Sequence, residues 1–295
     1  MAAESEQQRG LLTLPHAPNV KLAYEVLEGA DSGFPAIMLS NSLNSSYKVL
    51  WKEFVEHFRD QYTIIMYDQR FHGESPLASG DYDYFGEGQR FEDLAKDVIA
   101  LMDHLRIVKL HAFIGLSMGA TTAIVLKAIY PERIGKTVAA GSALKTAVPP
   151  PGGEDFFAPL VKIAMEGPEG MAKLAEMTIN RWFPGDPGQK FLEAHLHRKH
   201  EIVKMVAHSK PEGYVASVRA LQNYDLTKYL EAIKIHKDYE DVLLIAGQMD
   251  GQVPVFNKLM SIIAGCRHEV VEESGHIVNI QKADEFNGLV ENFLA

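Results

Sequence analysis

Cysteine and long apolar runs are what this 295-residue sequence lacks most clearly. It contains one cysteine, Cys266, so no disulfide can form within the chain, and such cysteine usage is typical of a reducing compartment. No window reaches the roughly 20 apolar residues that a membrane-spanning helix needs. Residues 1–10 are polar and acidic, without the apolar centre of a secretory signal. These absences predict a cytoplasmic protein that does not enter a membrane.

Positive charge is also scarce. The chain has 29 Lys and Arg residues against 39 Asp and Glu residues, a formal net charge of −10. An acidic surface repels nucleic acids and anionic membranes, so neither is expected as a partner. It does not exclude an anionic small molecule, because a pocket can be basic locally. We expect a small-molecule substrate and a chain that is a monomer or a homodimer.

Two signatures of bound cofactors are missing. No Gly-x-Gly-x-x-Gly stands at a strand-to-helix turn, so a dinucleotide is not expected. Residues 68–73, Asp-Gln-Arg-Phe-His-Gly, have the composition of a metal or acid–base cluster, but no second His/Asp cluster partners them. We therefore interpret this segment as a structural loop. The sequence predicts neither a metal nor an organic cofactor.

What the sequence does contain is a regular alternation of apolar strands and helical patterns. Continuous apolar runs such as 36–39 suit buried parallel strands, and residues 91–105 carry apolar side chains at helical spacing. The alternation predicts an α/β fold with a doubly wound, mostly parallel sheet of eight strands flanked by helices. The strands are predicted at 11–14, 20–27, 36–39, 63–67, 109–114, 134–140, 242–246 and 269–272, with further helices at 49–58, 118–129 and 283–294.

This alternation is interrupted once. It stops at the proline- and glycine-rich stretch 147–153, and from there to about Glu212 the residues favour helix without a clear strand. We interpret 147–212 as a helical cap inserted over the carboxyl edge of the sheet. The core is then formed by 11–146 and 213–295, and a disordered tail at 1–10 precedes it.

Ser117 is the predicted catalytic nucleophile. It lies in the pentapeptide Gly-Leu-Ser-Met-Gly at 115–119, directly after an apolar strand and directly before a helix. A sharp strand-to-helix turn of this kind exposes a serine hydroxyl at the edge of the sheet, and the two glycines avoid steric collisions. The N–H of Met118 then faces the reacting carbonyl at a helix N-terminus, which favours negative charge. A serine in an ordinary tight turn is the alternative.

A serine nucleophile needs a base, and the base needs an acid to orient it. In this type of fold the order along the chain is Ser, acid, His. His276 follows the last predicted strand, in a loop at the carboxyl edge of the sheet, and is the predicted base. Asp250 follows the preceding strand at the same edge and is the predicted acid. Asp225 is the rival acid, and a turn-forming role is the alternative for Asp250.

An oxyanion needs two backbone N–H groups to stabilise it. Met118 supplies the first, and the loop Asn41-Ser42-Leu43 after the third strand is expected to supply the second. We assign the second to the N–H of Leu43, or of a residue one position away. The side chains of Asn41 and Ser42 are candidates for substrate binding, with turn formation as the alternative.

Several motifs resemble the 3-oxoadipate enol-lactonases of the α/β-hydrolase superfamily, from about Ala36 to the C-terminus. The pentapeptide at 115–119 and the loop at 68–73 are shared widely across that superfamily. The more specific matches are Ser-Asn-Ser-Leu at 40–43, Arg-Trp-Phe at 181–183 and His-Ile-Val-Asn at 276–279. Phe71 and Ala120 depart from the pattern, because the family commonly has glycine at both positions.

The resemblance implies an α/β-hydrolase fold and a substrate that is a five-membered enol lactone bearing a carboxymethyl group. It makes Arg181 a candidate partner of the substrate carboxylate, since a guanidinium binds a carboxylate bidentately. A salt bridge within the cap is the alternative for Arg181. Trp182, a candidate substrate contact, fits a pocket wall and the cap core equally well.

The preferred hypothesis is a serine hydrolase of the EC 3.1.1 class that cleaves a lactone or carboxylic ester through an acyl-enzyme. One alternative keeps Ser117, Asp250 and His276 but cleaves a C–C bond next to a ketone, as related hydrolases do. Another alternative is a ligand receptor with the same fold and slow turnover. A lactonase for a secondary metabolite or mycotoxin is a further form of the preferred hypothesis.

Overall fold

One eight-stranded sheet forms the centre of the fold, seen in a computed structural model that describes residues 7–28, 33–84, 89–146 and 155–295. The strands are β1 (Gln7–Leu14), β2 (Ala17–Leu27), β3 (Ala36–Ser40), β4 (Thr63–Tyr67), β5 (Leu110–Leu116), β6 (Ile134–Ala140), β7 (Val242–Gly247) and β8 (Arg267–Val271). Their order in the sheet is β1-β2-β4-β3-β5-β6-β7-β8. β1 pairs antiparallel with β2, and β2 antiparallel with β4, whereas all other pairs are parallel. The predicted eight-stranded, mostly parallel sheet is confirmed.

Helices cover both faces of this sheet. Successive residues of β5 point to opposite faces, so Phe113 packs in one apolar cluster and Ile114 in the other. Helices α3, α4, α10 and α11 contribute to the first cluster, and α2 and α13 to the second. The helices are α1 (Tyr47–Leu50), α2 (Lys52–Phe58), α3 (Phe91–His104), α4 (Met118–Ile129), α5 (Ala158–Ala164), α6 (Pro168–Trp182), α7 (Gly185–Ala194), α8 (Leu196–Ala207), α9 (Pro211–Leu221), α10 (Thr227–His236), α11 (Val253–Ala264), α12 (Val278–Gln281) and α13 (Ala283–Leu294), with a 3₁₀ turn at Asp238–Asp241.

The predicted disordered tail at 1–10 is wrong for its last four residues, because β1 begins at Gln7. Residues 7–10 pair with the end of β2 although their side chains are polar and mostly exposed. An edge strand needs backbone hydrogen bonds rather than apolar side chains, which is why the apolar pattern missed it. The guanidinium of Arg9 also binds the carboxylate of Glu25, with Nε 3.0 Å from Oε2. Residues 1–6 lie outside the described residues.

Helices α5 to α9 occupy the segment that the sequence analysis interprets as a cap. The predicted return to the core at 213 falls inside α9, which continues to Leu221 because its buried face extends that far. The two ends of the segment are tied together: the N–H of Leu226 donates to the carbonyl of Leu144 over 2.9 Å, and that of Thr146 to the carbonyl of Tyr224 over 3.1 Å. The predicted start of the cap, 147–153, lies outside the described residues.

The backbone conformation at Phe71 explains why the family that the sequence resembles commonly has glycine at this position. Its φ is 66°, in the left-handed region that bulky residues rarely adopt. The side chain is fully buried, and its ring packs edge-on against Tyr82 and Tyr84, with centroids 5.1 and 5.0 Å away. These aromatic contacts offset the backbone strain. A Cβ on Gly213 would lie 2.5 Å from the carbonyl oxygen of Phe71, so α9 also packs closely on this loop.

Within the described ranges, no helix is long and apolar enough to cross a membrane.

His72 is a buried histidine that the fold keeps neutral. Its Nδ1 donates to the carbonyl of Arg70 over 2.9 Å, and its Nε2 has no partner among the described residues. Burial lowers the pKa of His72 to about 4. Because an unfolded histidine has a pKa near 6.5, the unfolded chain takes up a proton between these two values that the folded chain does not. Stability is therefore lost as the pH falls through this window.

We expect His72→Asn to reduce this acid sensitivity, because asparagine keeps a donor for the carbonyl of Arg70 and does not titrate. Between about pH 7.5 and about pH 4.5, the wild-type protein should lose ~2–3 kcal/mol more free energy of unfolding than the variant. Urea unfolding at each pH measures both changes. The same pH dependence in the two proteins would contradict a neutral, buried His72.

Candidate active site

Ser117 lies at the turn between β5 and α4 with φ 56° and ψ −110°. Close packing imposes this conformation. A Cβ on Gly115 would lie 2.1 Å from the carbonyl oxygen of Gly119, and a Cβ on Gly119 would lie 2.3 Å from that of Ser40. Only glycine fits at either position, so β5, α4 and the loop after β3 meet at this turn. The serine itself stays partly accessible, as a nucleophile must.

The structure brings the three predicted catalytic residues together. The hydroxyl oxygen of Ser117 lies 2.8 Å from Nε2 of His276. On the other side of the ring, Nδ1 of His276 lies 2.6 Å from Oδ2 of Asp250. The serine hydroxyl donates to Nε2, and the Nδ1–H donates to the carboxylate. This arrangement allows the ring to accept the serine proton while the carboxylate stabilises the imidazolium.

Backbone hydrogen bonds hold the base and the acid in place. The N–H of His276 donates to the carbonyl of Trp182 over 2.9 Å, so the end of α6 supports the loop that carries the base. The N–H of Met249 donates to the carbonyl of Ser274 over 2.8 Å, which ties the loops after β7 and β8 to each other. This role of the Trp182 carbonyl was not predicted, because every residue has a backbone carbonyl and the residue type does not indicate which one accepts such a bond.

Asp225, the rival acid, lies elsewhere. It is exposed and pairs through a β-bridge with Lys145. Its Oδ1 accepts the N–H of Thr227 over 2.8 Å, and hydrogen bonds from Thr227 lower the pKa of this carboxyl. Such contacts are typical of a carboxylate at the start of a helix. The structure does not bring Asp225 to His276.

The loop after β3 contacts the N-terminus of α4, as an oxyanion hole requires. The N–H of Gly119 donates to the carbonyl of Asn41 over 3.0 Å. Met118 is the first residue of α4, so its N–H has no acceptor within the helix. Leu43 lines the neighbouring cavity. The assignment of the second oxyanion N–H to Leu43 stays a prediction.

Neither Asn41 nor Ser42 lines this cavity, and the side chain of Asn41 has a structural role. The Nδ2 of Asn41 donates to the carbonyl of Tyr67 (3.1 Å) and to Oδ1 of Asp68 (3.2 Å), and its Oδ1 accepts the indole N–H of Trp51 (3.0 Å). All its polar atoms are therefore used within the fold. Asn41 thus braces the loop from inside. Ser42 is 1% exposed, and its role in substrate binding stays a prediction.

Asp68 anchors the same loop and was not singled out by the sequence. Its Oδ1 accepts the N–H of Tyr47 over 3.0 Å, and its Oδ2 accepts the N–H of Glu74 over 2.8 Å. Burial raises the pKa of Asp68 to about 7, against the effect of these two backbone donors. Segment 68–73 thus acts as a structural loop. In the part of the chain that the structure describes, no three His, Cys, Asp or Glu side chains group as a metal site.

A cavity of about 210 Å³ lies between the loop after β3 and helices α5, α6 and α9. Arg181 reaches it from the end of α6, next to the residue whose carbonyl supports His276. Arg181 is exposed, and no ion pair or hydrogen bond joins its guanidinium to any of the described residues. Desolvation lowers the pKa of the guanidinium, and the charges of Asp250 and Tyr214 act in the opposite direction. A cap salt bridge, the alternative for Arg181, is therefore absent among the described residues.

Other residues of the cavity wall were not predicted. Asn44, Thr178 and Tyr214 supply polar groups. Trp182, by contrast, was predicted as a pocket wall or as cap core; it lines the cavity and is also packed in the core, with only 1% exposure. Asn44 has a φ of 57°. This conformation depends on the surrounding fold, so no local sequence pattern predicted it. Tyr214 belongs to a Gly-Tyr pair that resembles the exit of the family's cap, and this was the available signal.

Comparisons with known proteins agree with the fold. A family model described as alpha/beta hydrolase fold matches residues 32–162. The 3-oxoadipate enol-lactonase 2 of Acinetobacter baylyi is 32% identical over 277 residues, 93% of each chain. A 2-hydroxy-6-oxo-6-phenylhexa-2,4-dienoate hydrolase of Comamonas testosteroni is 29% identical over 68% of each chain. The crystal structure of the enol-lactonase from Burkholderia xenovorans LB400 has a TM-score of 0.80 and 27% identity, covering 97% of this chain and 99% of that chain.

We expect Asp250→Asn to lower kcat on a lactone or ester substrate by about 10³- to 10⁴-fold, because an amide no longer fixes the tautomer of His276 or stabilises its cation. The matched control is Asp225→Asn, which should stay within about threefold of the wild-type protein. Steady-state kinetics, with thermal unfolding to verify folding, measures both. An equal loss in the two variants, or full activity of Asp250→Asn, would remove Asp250 from the site.

Proposed function

Because the chain belongs to the α/β-hydrolase family, we propose that it is a serine hydrolase that cleaves a lactone or carboxylic ester through an acyl-enzyme on Ser117. The observation that carries this proposal is the hydrogen-bond chain from Ser117 through His276 to Asp250. It combines a nucleophile, a base and an orienting acid within direct contact distance. Ser117 is partly accessible, and the loop after β3, which is hydrogen-bonded to its turn, also lines a cavity with Arg181, whose guanidinium is unpaired among the described residues.

In the first half of the reaction, Oγ of Ser117 attacks the acyl carbon while Nε2 of His276 takes its proton. The negative charge that develops on the carbonyl oxygen is stabilised by the N–H of Met118 and by that of Leu43. The C–O bond then breaks, and the imidazolium returns the proton to the leaving oxygen. In a lactone this oxygen remains attached to the acyl group, so no fragment leaves.

In the second half, a water molecule takes the place of the serine hydroxyl. His276 removes a proton from this water, which attacks the ester carbon of the acyl-enzyme. The bond to Oγ of Ser117 breaks, Ser117 regains a proton from the imidazolium, and the product leaves as a carboxylic acid. Asp250 stays ionised in both halves and stabilises the imidazolium each time.

Arg181 supports a substrate that carries a carboxylate of its own. Its guanidinium lines the cavity and has no anionic partner among the described residues, and the residue is exposed, so its charge is accessible to an incoming anion. A carboxylate of the substrate would supply the missing partner through charge-assisted hydrogen bonds. The enol-lactonase of Acinetobacter baylyi, 32% identical, favours the same class of substrate. A carboxymethyl-substituted enol lactone combines both requirements.

Cleavage of a C–C bond next to a ketone is the second candidate. The 29% identity with the phenylhexadienoate hydrolase of Comamonas testosteroni favours it, and such a substrate also carries a carboxylate. A ligand receptor with slow turnover is the less supported alternative, because the relatives from Acinetobacter baylyi and Comamonas testosteroni are both hydrolases.

The test compares a carboxymethyl enol lactone, its neutral methyl ester and a vinylogous diketone acid in the wild-type protein and in Arg181→Gln. We expect the lactone acid to be the best of the three. Arg181→Gln should raise its KM about 10- to 100-fold, the effect of removing a hydrogen bond to a charged group, and should leave the neutral ester nearly unchanged. Arg59→Gln, which changes an exposed arginine paired with Asp60, is the matched control.

Three results would contradict the proposal in different ways. Turnover of the diketone acid with no turnover of the lactone would establish the C–C hydrolase instead. An equal loss on the acid and its neutral ester in Arg181→Gln would exclude Arg181 as the carboxylate partner. No turnover of any substrate, together with tight binding of one of them, would favour the receptor.

A further inference from the structure

Most of the side chains that line the cavity are apolar. Two of its side chains are unusually accessible for their type: Phe156 is 55% exposed and Met177 is 47% exposed. Large apolar side chains gathered on one concave wall are typical of a ligand site. The apolar lining consists of Leu43, Phe156, Phe157, Leu160, Leu174 and Met177.

The residues of α6 that line the cavity change from apolar to charged along the helix axis. Leu174, Thr178 and Arg181 line it at spacings of four and three residues, which places them along one face of the helix. Seven residues of α-helix correspond to about 10 Å along the axis. The cavity therefore has a charged end at Arg181 and an apolar end at Leu174, where the side chains of the α5 region complete the wall.

The charged end is the one next to the catalytic residues. The N–H of His276 donates to the carbonyl of Trp182, the neighbour of Arg181. The indole N–H of Trp182 is buried without a hydrogen-bond partner in the described part of the chain, and so is the side-chain oxygen of Asn44. Both residues line the cavity. Buried polar groups without partners are rare in proteins, and a polar ligand at this end would supply the missing partners.

We infer that the substrate is an amphipathic acid: its carboxylate and scissile carbonyl occupy the charged end, and an aryl or medium-chain alkyl group fills the apolar end. A carboxymethyl lactone without such a group would leave the wall formed by Phe156, Leu160 and Leu174 facing water. This inference rests on the proposed function, because it deepens the substrate class of the same site. Binding of the acid is separable from its hydrolysis, so the two can fail independently.

The binding experiment uses the wild-type protein and two acids of equal chain length, pentanoate and 5-phenylpentanoate, in isothermal titration calorimetry. Burial of the phenyl group should make the second acid bind about tenfold more tightly or better. The double variant Phe156→Ala with Met177→Ala should lose most of this advantage. Both positions are exposed, so the fold should tolerate the changes. Leu196→Ala, at a 67% exposed cap leucine outside the cavity, is the matched control and should keep the advantage.

A parallel kinetic experiment compares two carboxymethyl lactones, one with a phenyl substituent and one without. We expect kcat/KM to favour the phenyl lactone about tenfold or more in the wild-type protein and in Leu196→Ala, and this preference to fall in the double variant. Hydrolysis of the unsubstituted lactone with equal binding of both acids would overturn the inference and leave the proposed function intact. Preferential binding of 5-phenylpentanoate with no hydrolysis of either lactone would contradict the proposed function and leave the inference about the apolar end intact.

Discussion

The backbone of Ser117 is held in a conformation that its own residue type disfavours, and the rest of the site depends on this constraint. A strained φ/ψ pair of this kind costs about 1–3 kcal/mol and persists only when the surroundings leave no alternative. Here the N–H of Ser117 donates to the carbonyl of Ala140 over 2.7 Å, and the N–H of Gly119 donates to that of Asn41 over 3.0 Å. The turn is thereby fixed to both neighbouring strands, and the hydroxyl points to His276.

One helix, α6, carries the candidate substrate-binding residue and also supports the loop of the catalytic base. The end of α6 carries Arg181 into the cavity, and the next residue, Trp182, accepts a hydrogen bond from the backbone of His276. A displacement of α6 would therefore move the candidate carboxylate partner and the base together. Asp68 has the corresponding role on the other side, where it holds Asn41 and with it the loop of the proposed oxyanion hole. With the substrate's acid group on Arg181, as proposed, these two anchors would set its distance from the nucleophile.

Local sequence patterns correctly predicted the helices and strands whose ends are marked by nearby residues. Helix α4 and strand β6 have the predicted bounds, 118–129 and 134–140, because both are mostly apolar segments with Pro131 or Gly141 shortly after their ends. The polar edge strand at 7–10 was missed, since its pairing with β2 depends on backbone hydrogen bonds. The role of Asn41 was open for a similar reason. Its burial among Tyr67, Asp68 and Trp51 is a long-range contact that residue type alone does not specify.

The most direct test of the account is kcat/KM for a carboxymethyl-substituted lactone in Ser117→Ala, beside the wild-type protein. The account predicts a decrease of at least about 10⁴-fold, because alanine removes the only atom that can form the acyl-enzyme at this turn. The thermal unfolding midpoint should not fall, since the serine hydroxyl contributes to the site rather than to the core. A kcat/KM within about tenfold of the wild-type value would contradict an acyl-enzyme on Ser117.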